Sequence, residues 1–196
     1  VLKKADLPRI RYRDLIIVPG FNGREEGERL EKSNQELFEY IMAGGQVPPL
    51  EVHFNDQGGV EVVDGHRRHW AYGKAIAAGA PIEWIDVLPF RGNDVDRVAR
   101  IVTSDRKLSL TPLEVARIYK RMAGFRLSTE EIAQRVCKTR QHVEQMLVLA
   151  NANNDVHMLV ADGMVPAHIA VDAVREHGES AGEFLASQVK SAKSQG

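Results

Sequence analysis

The run from Val62 through Asp64, Gly65, His66, Arg67 and Arg68 to Trp70, Ala71 and Tyr72 is the tightest local constraint in the chain. Two β-branched residues lead into Asp64-Gly65 and a helical apolar pattern follows, so it reads as strand, tight turn and helix. Gly65 permits the sharp turn because it carries no Cβ. The first-turn amides of the new helix, with the guanidinium groups of Arg67 and Arg68, are then expected to face one point. Helix N-termini carry unpaired N–H donors and partial positive charge, so that point suits a phosphate group. A surface turn with two solvated arginines is the plainer alternative, and an Arg-Arg pair alone does not exclude it.

Around this turn, residues 10 to 93 mix short strands and helices. Leu15 to Val18 is an apolar run closed by Pro19-Gly20, a short buried strand, and residues 21 to 29 read as a polar loop. Leu37, Phe38 and Ile41 place an amphipathic helix over Asn34 to Met42, ended by Gly44-Gly45. Leu50 to Phe54 and Val60 to Val63 form a hairpin across Asn55 to Gly59. The helix after Arg68 runs to about Ala78, and Ile82 to Leu88 supplies another strand. Trp70, Tyr72 and Trp84 are expected in the core. From Asp94 onward the pattern is helical, with Thr111-Pro112 and Ser128-Thr-Glu-Glu131 as helix starts. The expected fold is therefore an α+β domain over residues 1–93 followed by an all-α domain over 94–196.

Composition matters mainly through charge and cysteine. The chain is nearly neutral at −1, yet Arg117 to Arg140 holds seven basic residues against Glu130 and Glu131, a local +5. A nucleic-acid surface, if there is one, belongs there. One cysteine, Cys137, excludes an internal disulfide framework and fits a reducing cytoplasm. No apolar run has membrane-spanning length, and no secretory leader pattern opens the chain. Because the chain starts with Val and ends in small polar residues, a longer parent protein is expected.

Within the basic segment, residues 128 to 149 have helix-turn-helix spacing. Ile132, Ala133, Val136, Val143, Met146 and Leu147 would form the seam, with Cys137 at the turn and a second helix starting near Thr139. Arg140, Gln141, Glu144 and Gln145 would be exposed, with His142 at the seam's edge. Side chains able to read guanine or adenine edges thus sit in the half of the helix that enters a major groove. An ordinary αα-hairpin has the same spacing; Thr-Arg-Gln at the helix start, inside the basic segment, favours DNA.

Taken in order, these motifs resemble the ParB family of partition proteins and their KorB-type relatives, over about residues 10 to 177. Pro19-Gly-Phe-Asn-Gly-Arg24 resembles the family's early proline-to-arginine segment, and Gly45-Gln-Val-Pro-Pro49-Leu50 its glycine-to-proline stretch beside the base. Gly65-His-Arg-Arg-His-Trp-Ala71 is similar to the phosphate-binding Gly-Glu-Arg-Arg-x-Arg-Ala, with His66 for glutamate and Trp70 for the later arginine. Leu110 to Ala116 resembles the Leu-Asn-Pro-x-Glu-x-Ala helix start, and Asp162 to Ala170 a Gly-Lys-Leu-Ser-x-Gly-His-Ala segment.

The resemblance implies a ParB/sulfiredoxin-like N-terminal domain that binds CTP, with Mg2+ as a candidate companion. It implies a homodimer that clamps palindromic double-stranded DNA for plasmid or chromosome partition or transcriptional regulation. A ParA-type ATPase would be the partner through regions not present here, and the setting a bacterial nucleoid or plasmid. Nucleotide contacts are expected from Arg24, Gly45, Pro49, Gly65, His66, Arg67, Arg68, Ser104 and Lys107. DNA contacts are expected from Arg121, Lys138, Thr139, Arg140, Gln141, His142 and Gln145. No metal ligands are assigned; His66 and His69 share a helix face without an evident third ligand. Where the family has Glu-Asn-x-x-Arg, this chain has Thr103, Ser104 and Lys107, so CTP binding with weak or absent hydrolysis is expected. The alternative is a nucleotide-dependent enzyme of the same fold, a kinase or nuclease, with Asp64 or Glu61 as base. Sulfiredoxin chemistry is set aside because the Asp64 to Arg67 loop has no thiolate.

Overall fold

A computed structural model describes residues 7–104 and 108–195. Two compact units follow one another, dividing between Leu108 and Ser109.

The first unit is built on a five-stranded sheet, β1 (Arg9–Arg11), β2 (Leu15–Ile16), β3 (Leu50–Phe54), β4 (Val60–Asp64) and β5 (Trp84–Pro89), in the order β1-β5-β3-β4-β2. The hairpin β3–β4 is antiparallel; β3 runs parallel to β5 and β2 parallel to β4. Leu50, Val52, Val62 and Ile85 are almost wholly buried and form the sheet's core. Helices α1 (Glu28–Met42) and α2 (His66–Ala77) pack together through Ile41, Ala71 and Ala75. Tyr72 and Ile82 touch both that cluster and the sheet core, so α2 is held from two sides.

Four expectations change. The strand at residue 15 stops at Ile16, and Ile16 and Ile17 are exposed, because this short edge strand pairs only with β4. Helix α1 begins at Glu28 rather than Asn34; its first two turns carry a single apolar residue, Leu30, among charged and polar ones, with Glu28 and Glu31 at the positive dipole end, too sparse a pattern to mark the start. Trp70 and Trp84 are 37% and 48% exposed, lying beside the cations Lys74 and Arg11 rather than in the core. The division at residue 93 is displaced to 108, because α3 (Asp94–Thr103) belongs to the first unit. Its Arg97 bonds Glu61 of β4 and its Arg100 bonds Glu51 of β3.

The second unit is helical: α4 (Pro112–Gly124), α5 (Thr129–Val136), α6 (Arg140–Ala150), α7 (Asn154–Ala161), α8 (Ala167–His177) and α9 (Ala181–Gln195). Capping boxes at Thr111/Glu114 and Ser128/Glu131 start α4 and α5 as their sequences predict. Leu113, Tyr119, Met122, Ile132, Val143 and Leu149 fill the core between α4, α5 and α6. Among the described residues, no helix is long and apolar enough to cross a membrane.

Candidate functional site

The first unit contains a cavity of about 430 Å³ where the β4–α2 turn meets the 19–24 loop, the Pro48-Pro49 segment and α3. That volume is in the range of small-ligand sites. Seven expected nucleotide residues line it or form its wall: Arg24, Pro49, Gly65, His66, Arg67, Arg68 and Ser104. Gly45 does not line it. A Cβ there would stand 2.5 Å from the Tyr40 ring, so that glycine serves a close packing contact instead. Lys107 lies outside the described residues.

Gly65 makes the turn. Its φ is +100°, in the left-handed region, and α2 begins at the next residue. The following arginines are each held by protein oxygens. Arg67 donates from Nε to Asn34 Oδ1 (3.0 Å) and from Nη2 to the Ser33 carbonyl (2.7 Å), reaching across to α1. Arg68 donates to the carbonyls of Pro48 (2.7 Å) and Pro49 and to Asp64 Oδ2 (2.7 Å). The two guanidiniums are thus anchored on different segments rather than aimed at a single point, although both line the cavity. Arg68 closes the Pro48-Pro49 wall onto the β4 end.

Two carboxylates, Glu51 and Asp64, also line the cavity, together with Asn22 and Arg100. Asn22 and Asp64 belong to stretches already singled out in the sequence, whereas no motif points to Glu51 or Arg100. Their signal is the pair Arg97 and Arg100, one helical turn apart on α3 beside buried Val98 and Ile101. Arg100 meets Glu51 with two nitrogens, Nε at 2.7 Å, and this pairing pushes the guanidinium pKa up. Asp64 accepts from Arg68 and from Ser104 Oγ at 2.9 Å. Thr103 is exposed and donates back to the Arg100 carbonyl at 3.4 Å. The hydroxyl-for-acid exchange therefore leaves Ser104 in the cavity and Thr103 out of its lining.

These residues fit a nucleotide phosphate: several cationic groups surround a left-handed glycine turn and a helix N-terminus. They do not fit a protein-held Mg2+, since both lining carboxylates are engaged by arginines and Mg2+ prefers carboxylate and phosphate oxygens. Among the described residues, no group of three His, Cys, Asp or Glu could hold a metal. His66 and His69 stack on different rings, Phe21 and Tyr12. Glu61, a candidate base for an enzyme reading, lies outside the lining and is bonded by Asn55 and Arg97, which in that order hold its carboxyl below the usual range.

In the second unit, Ile132, Ala133, Val136, Val143 and Met146 form the buried seam; Leu147 is only half-buried and Leu149 takes the inner position. Cys137 closes α5 with φ +53°, the left-handed position usually given to glycine. Thr139 caps α6, its Oγ1 accepting from the His142 amide at 3.1 Å. Arg140 and Gln141 are exposed on the first turn, and Arg140 Nε donates to Glu144 at 2.7 Å. Lys138, Thr139 and Arg121 are exposed too. His142 sits half-buried with its ring edge-on to Tyr119, and burial lowers its pKa. Gln145 is half-buried rather than fully exposed, lining a second cavity with His142, Met146 and His168. The expected DNA residues therefore divide into an exposed set at the start of α6 and two, His142 and Gln145, that partly face the protein.

Comparison with known proteins accords with both units. Residues 108–176 match the family model of the ParB HTH domain. The chain is 33% identical over 134 residues to the chromosome-partitioning protein ParB of Myxococcus xanthus, covering 68% of this chain and 44% of that protein. It is 26% identical over 168 residues to a probable chromosome-partitioning protein ParB of Chlamydia muridarum, covering 83% and 59%. The chain spans about half the length of these curated relatives. The C-terminally truncated ParB of Caulobacter crescentus, solved in complex with its centromeric parS site, superposes with a TM-score of 0.65 at 19% identity. That match covers 94% of this chain and 92% of the other, and at such identity it is a likeness of fold. With a ParB helix-turn-helix domain behind an α+β unit of the ParB fold, the chain belongs to the ParB-like family of partition proteins.

Proposed function

We propose that this chain is the nucleotide-binding and DNA-reading part of a partition protein, in which the first unit holds CTP and the second reads a specific DNA site. The observation that carries the reading is the cavity. The family-like Gly65-to-Arg68 turn, Arg24 and the Pro48-Pro49 wall meet there around a space of nucleotide scale. The DNA half is supported by α6, which starts at a capped Thr139 and presents Arg140 and Gln141 outward. The parS complex of the Caulobacter crescentus relative supports a centromere-like duplex as the ligand.

One reading helix covers half a site, so the working form is a dimer on a palindromic sequence. CTP favours closure of paired first units over DNA, because a ligand shifts an equilibrium by its preference for one state. Hydrolysis is weak or absent: Ser104 offers a hydroxyl already donated to Asp64, and neither lining carboxylate is uncommitted. The test is calorimetry with all four nucleoside triphosphates, with and without DNA recovered by selection from a random pool. Preference for CTP and an enriched palindrome are expected. Indifference among the triphosphates removes the nucleotide half, and a pool without enrichment removes the DNA half.

A further inference from the structure

We propose that His66 is the proton-accepting contact of the cavity: when a polyphosphate enters, its imidazole takes up one proton and holds the anion as an imidazolium. This rests on the nucleotide reading of the same cavity and adds a chemical role for one residue.

The geometry comes first. His66 is the first residue of α2, directly after the left-handed Gly65, and it lines the cavity. Its Nε2 is buried and has no hydrogen-bond partner in the protein. A buried polar atom without a partner is costly, and the residue that carries it lines a cavity whose anionic occupant can supply one. The ring's position is fixed on its other side. It stacks on Phe21, 5.9 Å between centroids, and Phe21 lies in turn beside the Arg97 guanidinium. The cavity's anchored arginines are differently placed, since Arg67, Arg68 and Arg100 each already have protein oxygens as partners.

The charges around the ring give the direction. Asp64 faces it from β4, Arg24 from the loop before α1, and Arg68 and His69 from α2 itself. Burial holds the imidazole pKa down at about 4; Asp64 opposes this, while His69, Arg24 and Arg68 add to it. The ring is therefore neutral at pH 7 without a ligand. A triphosphate offsets the arginines and brings negative oxygens to Nε2, and both changes favour the charged ring. Between the low pKa of the empty cavity and the raised one of the filled cavity, affinity must climb as pH falls. For one proton the limit is about tenfold per pH unit.

The experiment uses the whole chain and CTP. Calorimetry at pH 6 in buffers of different ionisation heat reads protons taken up on binding, for the wild type and for His66→Gln. Glutamine keeps an N–H donor and cannot ionise. The terminal phosphate titrates near this pH as well, so the informative quantity is the difference between the two proteins. An excess uptake approaching one proton in the wild type, with a steeper rise of affinity from pH 7 to pH 5, is expected. As a second measurement, NMR titration of the His66 ring in wild-type protein should show its pKa rising when CTP is added. Equal uptake in both proteins, or a His66 pKa that CTP leaves unmoved, overturns the inference while leaving the nucleotide reading intact. Failure of every triphosphate to bind overturns both.

Discussion

Replacing Gly65 with alanine tests the link between the turn and the cavity. The substitution meets two obstacles. The backbone φ of +100° is in the left-handed region, where a Cβ costs about 1–2 kcal/mol. The new methyl would also stand 2.6 Å from Leu50 Cδ2 and 2.9 Å from Arg68 Nη2. Leu50 is completely buried in the sheet core and cannot withdraw cheaply, so overpacking adds about 1–3 kcal/mol. Alanine restricts the unfolded chain and returns about 0.4–1 kcal/mol. The net expectation is a loss of roughly 2–4 kcal/mol, large against the ~5–15 kcal/mol typical of a domain. Urea unfolding followed by tryptophan fluorescence isolates the first unit, because both tryptophans, Trp70 and Trp84, lie in it. A midpoint within error of wild type, with an unchanged slope, would refute the strain argument. Because the methyl crowds Arg68, weaker CTP binding by the folded fraction should accompany the lost stability.

Three further expectations follow from single contacts. Arg97→Met takes the cation away from the Glu61 carboxylate, whose side chain is only 17% exposed and which keeps the Asn55 hydrogen bond, and should destabilise the first unit by about 3 kcal/mol. Its pH signature has a definite sign. The Asn55 hydrogen bond and then Arg97 lower the folded Glu61 pKa, so this stabilisation is whole above the ordinary glutamate value and is lost as pH falls through the lowered one. Acid unfolding of wild type and variant should therefore converge at low pH, and parallel curves would contradict the pairing. Cys137→Gly relieves a left-handed backbone and should leave the helix-turn-helix unit as stable or up to about 1 kcal/mol more stable, read by thermal melting; a marked loss would mean that the thiol packs usefully. Arg140→Ala should weaken binding to the selected DNA by about 1–3 kcal/mol and relax base preference at one position of each half-site, measured by fluorescence anisotropy. Unaltered site preference would move the reading surface away from the first turn of α6.

The parts legible in the chain's own order were those whose cause is local. Gly65 followed by a helical pattern announces a turn; Thr111-Pro112, Ser128 to Glu131 and Thr139 satisfy helix N-termini with their own side chains, and their helices begin where those caps stand. The seam of α5 and α6 is legible for the same reason, apart from Leu147, whose inner place Leu149 takes, since its period needs no knowledge of a distant partner. What tertiary structure decided is which surfaces meet. The amphipathic pattern of α3 fits either core, and only the pairing of Arg97 with Glu61 and Arg100 with Glu51 assigns it to the sheet. Arg67 and Arg68 are adjacent in sequence, yet their long side chains diverge to α1 and to the Pro48-Pro49 wall, because oxygens 34 and 20 residues away are their partners. Trp70 and Trp84 carry strong apolar character but stand near cations at the surface, a choice made by the packing of α2 and β5 and not by composition. Local periodicity specifies the elements; the long-range ion pairs and close packing that build the cavity exist only once those elements are brought together.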